Sequence, residues 1–161
     1  MIFLNSYLSQ ETTVWRLTKE TFISEAFSGK GAKLYPGRWN NKGVNVVYTA
    51  GSESLAILEM LVQANPTLPY WKIEARLPAD LLVTTIDTSK LPKSWRESPP
   101  RDEVRNIGSM WVEQNLSSVL MVPSSIVEQE LNYLLNPLHT DFSRISIGIA
   151  TESSLDPRLK R

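Results

Sequence analysis

The chain has no cysteine and a single histidine, His139, among its 161 residues. Without cysteine there is neither a disulfide framework nor a thiolate that could attack a substrate or bind a metal. One histidine cannot supply the usual His/Cys ligand set of a zinc or iron site. Any catalysis by this chain must therefore use carboxylates, arginines, hydroxyls and amides.

Net charge is also absent, because 17 basic residues balance 17 acidic ones. A chain without an excess of either sign has no general electrostatic attraction to nucleic acid or to an anionic membrane. The first residues lack the basic and long apolar regions of a signal peptide, and no apolar run approaches the roughly 20 residues of a membrane span. We therefore expect a soluble, cytoplasmic protein that contacts neither nucleic acid nor a membrane directly.

The length suits one domain, and we assign residues 1–161 to a single domain. Short runs rich in β-branched and aromatic residues predict about six or seven strands, which together with two or three helices indicate an α+β fold with mixed sheets. The predicted helices are a turn or two at 21–27, a helix over 54–64 and one that begins near Asp102. The predicted strands are 12–17, 44–50, 71–77, 81–86, 118–122 and 145–150, and segment 126–135 fits either a strand or a helix.

The most informative stretch is 37–62, where three structural signals follow one another. A glycine-punctuated loop carries Arg38, a β-prone run contains Tyr48, and Ser52 is a suitable N-cap for the helix that follows. A polar loop, a strand and a helix in immediate succession bring their side chains near one another. We therefore expect Arg38, Tyr48 and Glu59 to line one cleft.

Glu59 has two possible interpretations on spacing alone. At about 100° per residue, Leu55, Leu58, Leu61 and Val62 share one arc of the helix, and Glu59 lies at its border. A solvated carboxylate at the edge of the helix is the commoner outcome, since unpaired glutamate is rarely buried. The alternative is a carboxylate directed into the cleft and oriented by arginine or tyrosine partners.

Four further polar residues also have ordinary structural interpretations when each is considered alone. Arg16 fits a surface arginine at the end of a strand, and Tyr48 fits a half-buried core residue. Ser124 fits a turn residue after the strand 118–122. His139, which follows an Asn-Pro pair, fits a structural turn histidine and is not placed among the catalytic candidates.

Taken together, however, a series of short motifs resembles the RES-domain family, the toxin half of bacterial RES–Xre toxin–antitoxin pairs. The motifs follow the family order over nearly the whole chain, which makes the resemblance specific although no single motif is decisive. Two departures are Pro36, where a glycine is frequent, and Gln63, where a histidine is common. The motifs are Trp15-Arg16, Ser28-Gly29-Lys30-Gly31-Ala32, Gly37-Arg38-Trp39-Asn40 with Gly43, Val47-Tyr48-Thr49-Ala50 leading to Leu55-Ala56 and Leu58-Glu59, Ile107-Gly108 with Trp111, Val122-Pro123-Ser124, Asn132 to Asn136-Pro137 with His139, and Asp156-Pro157-Arg158-Leu159.

This resemblance implies a fold similar to diphtheria-toxin-like ADP-ribosyltransferases and action on NAD+ as a substrate, with no metal or other cofactor. Glu59 would stabilise the oxocarbenium-like sugar cation that forms when the nicotinamide–ribose bond breaks, or would hold the ribose hydroxyl or the attacking water. Arg16 and Arg38 would bind the pyrophosphate through their planar guanidinium groups. Tyr48 would stack on the nicotinamide or ribose, and Ser124 would hydrogen-bond the amide or ribose. The implied catalytic set is Glu59, Arg16 and Ser124; the implied NAD+-binding set is Arg38, Tyr48, Arg16 and Ser124.

The resemblance also implies a partner, a cognate Xre-type helix-turn-helix antitoxin that carries the DNA-binding function, and a homodimer of this chain within their complex. It leaves the acceptor of the ribosyl group open. Water or phosphate would make the chain an NAD+-degrading toxin, whereas a protein acceptor would make it an ADP-ribosyltransferase with a specific target. A catalytically inactive module that only assembles with its antitoxin is the alternative of a different class.

Overall fold

The computed structural model describes residues 1–63 and 69–159, and these form an α+β fold. Its helices are α1 (Lys30–Leu34), α2 (Glu53–Leu61) and α3 (Asp102–Glu113), with short 3-10 helices at Glu20–Glu25, Thr88–Lys90, Thr140–Arg144 and Pro157–Leu159. Its strands are β1 (Phe3–Tyr7), β2 (Thr12–Thr18), β3 (Val47–Ala50), β4 (Tyr70–Leu77), β5 (Leu82–Ile86), β6 (Val119–Pro123), β7 (Leu131–Leu135), β8 (Ser146–Ile147) and β9 (Thr151–Ser153).

Across the described residues these nine strands form one mixed sheet in the order β1-β5-β6-β7-β3-β2-β4-β8, with β9 also paired to β4. The β5–β6 pair is parallel, and the other pairs are antiparallel. The predicted α+β class with a mixed sheet is therefore confirmed. None of the described helices is long and apolar enough to cross a membrane.

The sheet has an apolar core on each face, because neighbouring residues of a strand point to opposite sides. Leu134 packs in the cluster that α3 covers with Trp111, whereas Leu135 packs in the second cluster. Phe27 and Phe142, which flank the sheet in or beside 3-10 segments, pack against that second cluster. Burial on both faces makes the central strands a rigid base for the loops at their ends.

Helix α2 packs against the sheet through a small third cluster, in which Leu55 and Ala56 meet Ala50. Ser52 caps the helix as predicted, since its hydroxyl accepts a hydrogen bond from the backbone N–H of Leu55 at 3.1 Å. The helix ends at Leu61, three residues earlier than the predicted end at 64, and position 64 lies outside the described residues.

The predicted apolar arc of α2 is wrong at two of its four positions. Leu58 is 39% exposed and Val62 is 63% exposed, while the half-buried Glu59 faces the protein instead. The helix is rotated so that its smallest buried residue, Ala56, approaches the sheet and Glu59 reaches the ends of β6 and β7. Hydrogen bonds from those strands offset the cost of removing a carboxylate from water.

The ends of the chain differ most from the sequence prediction. Strand β1 was missed because it is an edge strand in which only Phe3 is buried, so it lacks an alternating apolar pattern. The single strand predicted over 145–150 is wrong: β8 and β9 are separate short strands that both pair with β4. Segment 126–135 forms a strand only over its second half, β7.

Candidate active site

A cleft of about 740 Å³ opens beside β2 and β3, where the two strands diverge after their single register pair, Trp15 with Ala50. Its walls come from β2, the loop 35–39, β3, α2, the loop 96–100 and β7. This volume lies within the range of roughly 300–1,000 Å³ that is usual for small-molecule sites. Arg16, Arg38, Tyr48 and Glu59 all line this cleft, as the sequence predicted for the last three.

The Gly-Arg-Trp-Asn loop is held in shape by Asn40, whose side chain is fully buried. The Asn40 Oδ1 accepts hydrogen bonds from the Gly37 backbone N–H at 2.9 Å and from the Tyr48 hydroxyl at 2.6 Å. Its Nδ2 donates to the Ala32 carbonyl at 2.8 Å, which ties the loop to α1. With Trp39 buried in the core, the loop is fixed and Arg38 is directed to the cleft.

Tyr48 has a structural role that the sequence did not reveal. Its hydroxyl donates to Asn40 and accepts from the Trp39 N–H at 3.0 Å, and burial raises the pKa of this phenol far above its ordinary value. A Cβ atom on Gly37 would lie 2.6 Å from the Tyr48 ring, so the loop approaches the ring too closely for any other residue. The ring still forms part of the cleft wall, and stacking on a ligand stays a prediction.

Glu59 is oriented by two neutral donors and no cation. Its Oε1 accepts hydrogen bonds from the Ser124 hydroxyl at 2.9 Å and from the Asn132 Nδ2 at 2.6 Å. Among the described residues nothing donates to its Oε2, and no arginine or lysine lies within ion-pair distance. The carboxylate is therefore directed into the cleft as the second interpretation predicted, but the expected arginine or tyrosine partners are wrong, because Ser124 and Asn132 orient it.

Ser124 lies behind Glu59, and this corrects the expected direct contact with the nicotinamide amide or ribose. Its side chain is fully buried, and it does not line the cleft. The Ser124 Oγ accepts from the N–H groups of Ile126 and Val127, both at 3.1 Å, so its proton is left to donate to Glu59. Ser124 can act on chemistry in the cleft only through the orientation of Glu59.

Arg16 is a largely buried cation that has no acidic partner among the residues 1–63 and 69–159. Its Nη1 donates to the Tyr48 carbonyl at 3.0 Å, and its Nε is buried without a hydrogen-bond partner. Burial lowers the pKa of Arg16 to about 10, so the guanidinium is still charged at neutral pH. An unpaired buried cation is costly, and an anionic ligand in the cleft would supply the missing partner.

Arg38 reaches the cleft from the loop 35–39 and is likewise anchored by backbone carbonyls. Its Nη1 donates to the backbone carbonyls of Trp95 and Glu97, both at 2.7 Å. Burial lowers the pKa of Arg38, and the negative charge of Glu59 opposes that shift. Arg38 and Glu59 are therefore close enough to influence each other electrostatically, although they do not form an ion pair.

Two residues at the site were not singled out for a role by the sequence. Asn132 is buried on β7 and donates the shorter of the two hydrogen bonds to Glu59; a polar residue inside the apolar run 131–135 was the available signal. Arg96 lines the cleft and donates twice to the Ser125 carbonyl, both at 3.1 Å, which joins the loop 91–101 to the hairpin after β6. No pattern in that loop distinguished Arg96 from its charged neighbours.

His139 has the structural role that was expected. It caps the 3-10 helix Thr140–Arg144, where its Nδ1 accepts a hydrogen bond from the Asp141 N–H at 3.0 Å. In the part of the chain that the structure describes, no group of three or more His, Cys, Asp or Glu residues is placed to share a metal ion.

The motifs, the fold and the cleft agree with a single family assignment. The model of the RES domain matches residues 13–156, so the chain belongs to the RES-domain family. A protein named Prs ADP-ribosylating toxin from Sphingobium sp. is 34% identical over 157 residues, covering 93% of this chain and 98% of that protein. A protein named Toxin Res from Photorhabdus laumondii is 39% identical over 150 residues, covering 91% and 96%.

The fold also has a solved counterpart. This chain is similar to a chain in the crystal structure of the M. tuberculosis MbcT–MbcA toxin–antitoxin complex, with a TM-score of 0.75 and 14% sequence identity, over 92% of this chain and 87% of that one. At that identity the likeness concerns the fold alone.

Proposed function

We propose that this chain is the toxin of a toxin–antitoxin pair and that it consumes NAD+ by cleaving the nicotinamide–ribose bond. The observation that carries the proposal is the cleft in which Glu59, held by neutral donors, shares one cavity with two arginines for which the described residues provide no acidic partner. NAD+ matches both kinds of charge in this cleft. Its pyrophosphate is an anion that suits the arginines, and its ribose becomes cationic during the reaction, which suits Glu59. Relatives named as toxins at 34–39% identity support the biological role.

The geometry suits this reaction in the following way. Arg16 and Arg38 present charged guanidinium groups to the pyrophosphate oxygens. As the C–N bond to the ribose breaks, its electron pair passes to the pyridinium nitrogen, and nicotinamide leaves as a neutral molecule. The positive charge that develops on the ribose is stabilised by the free oxygen of Glu59, because a preorganised charge acts most strongly where charge appears in the transition state. An acceptor oxygen then bonds to the anomeric carbon and loses its proton.

The identity of the acceptor separates the main proposal from its alternative. Transfer to water would give ADP-ribose, and transfer to phosphate would give a phosphorylated ADP-ribose. Transfer to a protein is the second candidate, and the name of the Sphingobium relative, an ADP-ribosylating toxin, favours it. Incubating the purified chain with NAD+, with and without phosphate, and resolving the products distinguishes water from phosphate; label from NAD+ that enters protein only in a cell lysate identifies a protein acceptor.

The matched control is Glu59→Gln. The glutamine carbonyl can still accept from Ser124 and Asn132, so we expect the variant to fold normally. Loss of the negative charge in the cleft should reduce NAD+ turnover by about 100-fold or more. Turnover equal to that of the wild type would remove Glu59 from the chemistry, whereas a parallel loss of folding would indicate a structural role.

The cellular role is tested by expression with and without the antitoxin. We propose an Xre-type antitoxin that places an acidic side chain or terminal carboxylate against Arg16 and Arg38, in place of the pyrophosphate. The chain alone should deplete NAD+ and stop growth, the antitoxin should restore both, and Glu59→Gln should be harmless. If the wild-type chain alone leaves NAD+ and growth unchanged while the complex still forms, the chain is an inactive assembly module instead.

A further inference from the structure

Asn132 donates the shorter of the two hydrogen bonds that Glu59 accepts among the described residues. Its Nδ2 lies 2.6 Å from the Glu59 Oε1, compared with 2.9 Å for the Ser124 hydroxyl. The Asn132 side chain is only 8% exposed, and the residue forms part of the cleft wall. It is thus directly beside the carboxylate on which the proposed chemistry depends.

The orientation of the Asn132 amide has only one chemically acceptable form. If the amide were reversed, its carbonyl oxygen would face the Glu59 oxygen, and two acceptors would meet without a proton between them. With the Nδ2 toward Glu59, the Oδ1 is buried and finds no hydrogen-bond partner in the part of the chain that the structure describes. A buried acceptor without a partner reduces stability and is rare in native proteins. This orientation therefore gives Glu59 a donor and leaves the other end of the amide without a partner among the described residues.

The two donors to Glu59 are fixed relative to each other by the sheet. Asn132 lies opposite Val122 in the β6–β7 register, and Ser124 follows the end of β6. The Ser124 N–H donates to the Glu130 carbonyl at 2.9 Å, which closes the hairpin between the two strands. Both donors bind the same oxygen, so they define the rotation of the carboxylate and leave Oε2 unoccupied.

We propose that Asn132 is a positioning residue for the NAD+-cleaving reaction, holding the Glu59 carboxylate so that its free oxygen faces the ribose. This inference rests on the proposed function and adds a residue to it. Asn132 acts through Glu59 and does not itself contact the reacting atoms. Because it is neutral, it orients the carboxylate without cancelling the charge, which a lysine or arginine at this position would do.

The decisive variant is Asn132→Asp, which keeps the side-chain shape and replaces the donor with a second carboxylate. Two carboxylates at this distance cannot both ionise readily, so the pair should retain a proton to higher pH. We expect the acid limb of the kcat profile to move upward by about one pH unit or more and kcat at pH 7 to fall about tenfold or more. The KM for NAD+ should change less than about threefold, because the arginines are untouched. A pH profile that overlays the wild-type profile would overturn the proposal.

A second variant separates positioning from a merely structural role. Asn132→Leu removes the unpaired acceptor, which stabilises the fold, and also the hydrogen bond to Glu59, which destabilises it, so we expect a Tm close to that of the wild type while kcat falls about tenfold or more. A Tm that falls in step with kcat would show that Asn132 supports only the fold, and the proposal would fail.

Failure of the proposed function is visible separately, as absence of NAD+ turnover by the wild type. In that case an NMR titration of the Glu59 side-chain carboxyl carbon decides the inference without turnover. A titration midpoint that moves upward in Asn132→Asp supports the positioning contact. An unchanged midpoint overturns it.

Discussion

Replacing Arg16 with methionine should stabilise the fold and abolish the binding of ADP-ribose, the ligand of the assay described below. Burial without an acidic partner lowers the Arg16 pKa from 12.5 to about 10, and each pKa unit corresponds to about 1.4 kcal/mol. For a base, a lowered pKa means that the charged form is disfavoured in the folded state. The penalty is therefore fully present below about pH 10 and fades as the pH rises toward the unfolded value. At neutral pH it amounts to about 3 kcal/mol.

Part of this gain is offset by the contact that Arg16 does make. The hydrogen bond from its Nη1 to the Tyr48 carbonyl is worth about 1 kcal/mol. Methionine is similar in length and suits an irregular apolar environment. The net effect of Arg16→Met should be a stabilisation of about 2 kcal/mol, equivalent to a Tm increase of roughly 4–8 °C for a chain of this size.

Thermal unfolding at pH 7, with and without ADP-ribose, is the appropriate assay. ADP-ribose carries the pyrophosphate but no nicotinamide bond to cleave, so it should raise the Tm of the wild type and leave that of Arg16→Met unchanged. Arg76→Met is the matched control, since Arg76 is 56% exposed and paired with Glu74; its effect should stay within about 0.5 kcal/mol. A Tm decrease of several degrees in Arg16→Met would refute the reasoning, because Arg16 would then be a satisfied structural residue.

Three further substitutions test the frame of the cleft. Arg38→Lys should weaken ADP-ribose binding about tenfold or more, as measured by calorimetry. An ammonium group cannot hold two carbonyls of the loop 91–101 and also offer a planar edge to the pyrophosphate. Unchanged affinity would return Arg38 to a structural role. Tyr48→Phe should lower the free energy of unfolding in urea by about 1–3 kcal/mol through loss of both hydroxyl hydrogen bonds, and an unaffected midpoint would contradict this. Gly108→Ala would place a Cβ against the Trp39 carbonyl oxygen, well inside van der Waals contact, so stability should fall by about 3 kcal/mol; wild-type stability would show that α3 can move freely.

The sequence predicted those parts of the fold whose signal is local. Strand β4 and helix α2 were found because alternation and an N-cap are properties of adjacent residues. Strand β1 was missed because only its partner β5 makes it a strand; alone, it buries a single residue. The face of α2 was predicted wrongly because hydrophobic periodicity cannot anticipate that distant strand ends will supply donors to a glutamate.

For the site, too, the sequence predicted what local signals encode and missed what depends on distant parts of the chain. Arg38 and Tyr48 could be related to Glu59 because one continuous stretch carries them. Ser124 and Asn132 are 65 and 73 residues from Glu59 in the chain, and only the sheet register brings them together. The resemblance to a family named Ser124 without indicating that it would be buried behind the carboxylate. The burial of Ser124 depends on how α2, β6 and β7 pack together, and no local sequence pattern encodes that packing.

The positively and the negatively charged side chains of the cleft are all oriented by hydrogen bonds to neutral groups. Among the described residues, Arg16 and Arg38 are each anchored only through Nη1, which donates to one backbone carbonyl in Arg16 and to two in Arg38. Glu59 is anchored by a hydroxyl and an amide. A salt bridge between arginine and glutamate would orient both side chains as well, but it would neutralise the charges and leave nothing for a dinucleotide or an antitoxin carboxylate to bind. Neutral anchors hold the side chains in place without neutralising them, so we expect the cleft to attract an anion although the chain as a whole carries no net charge.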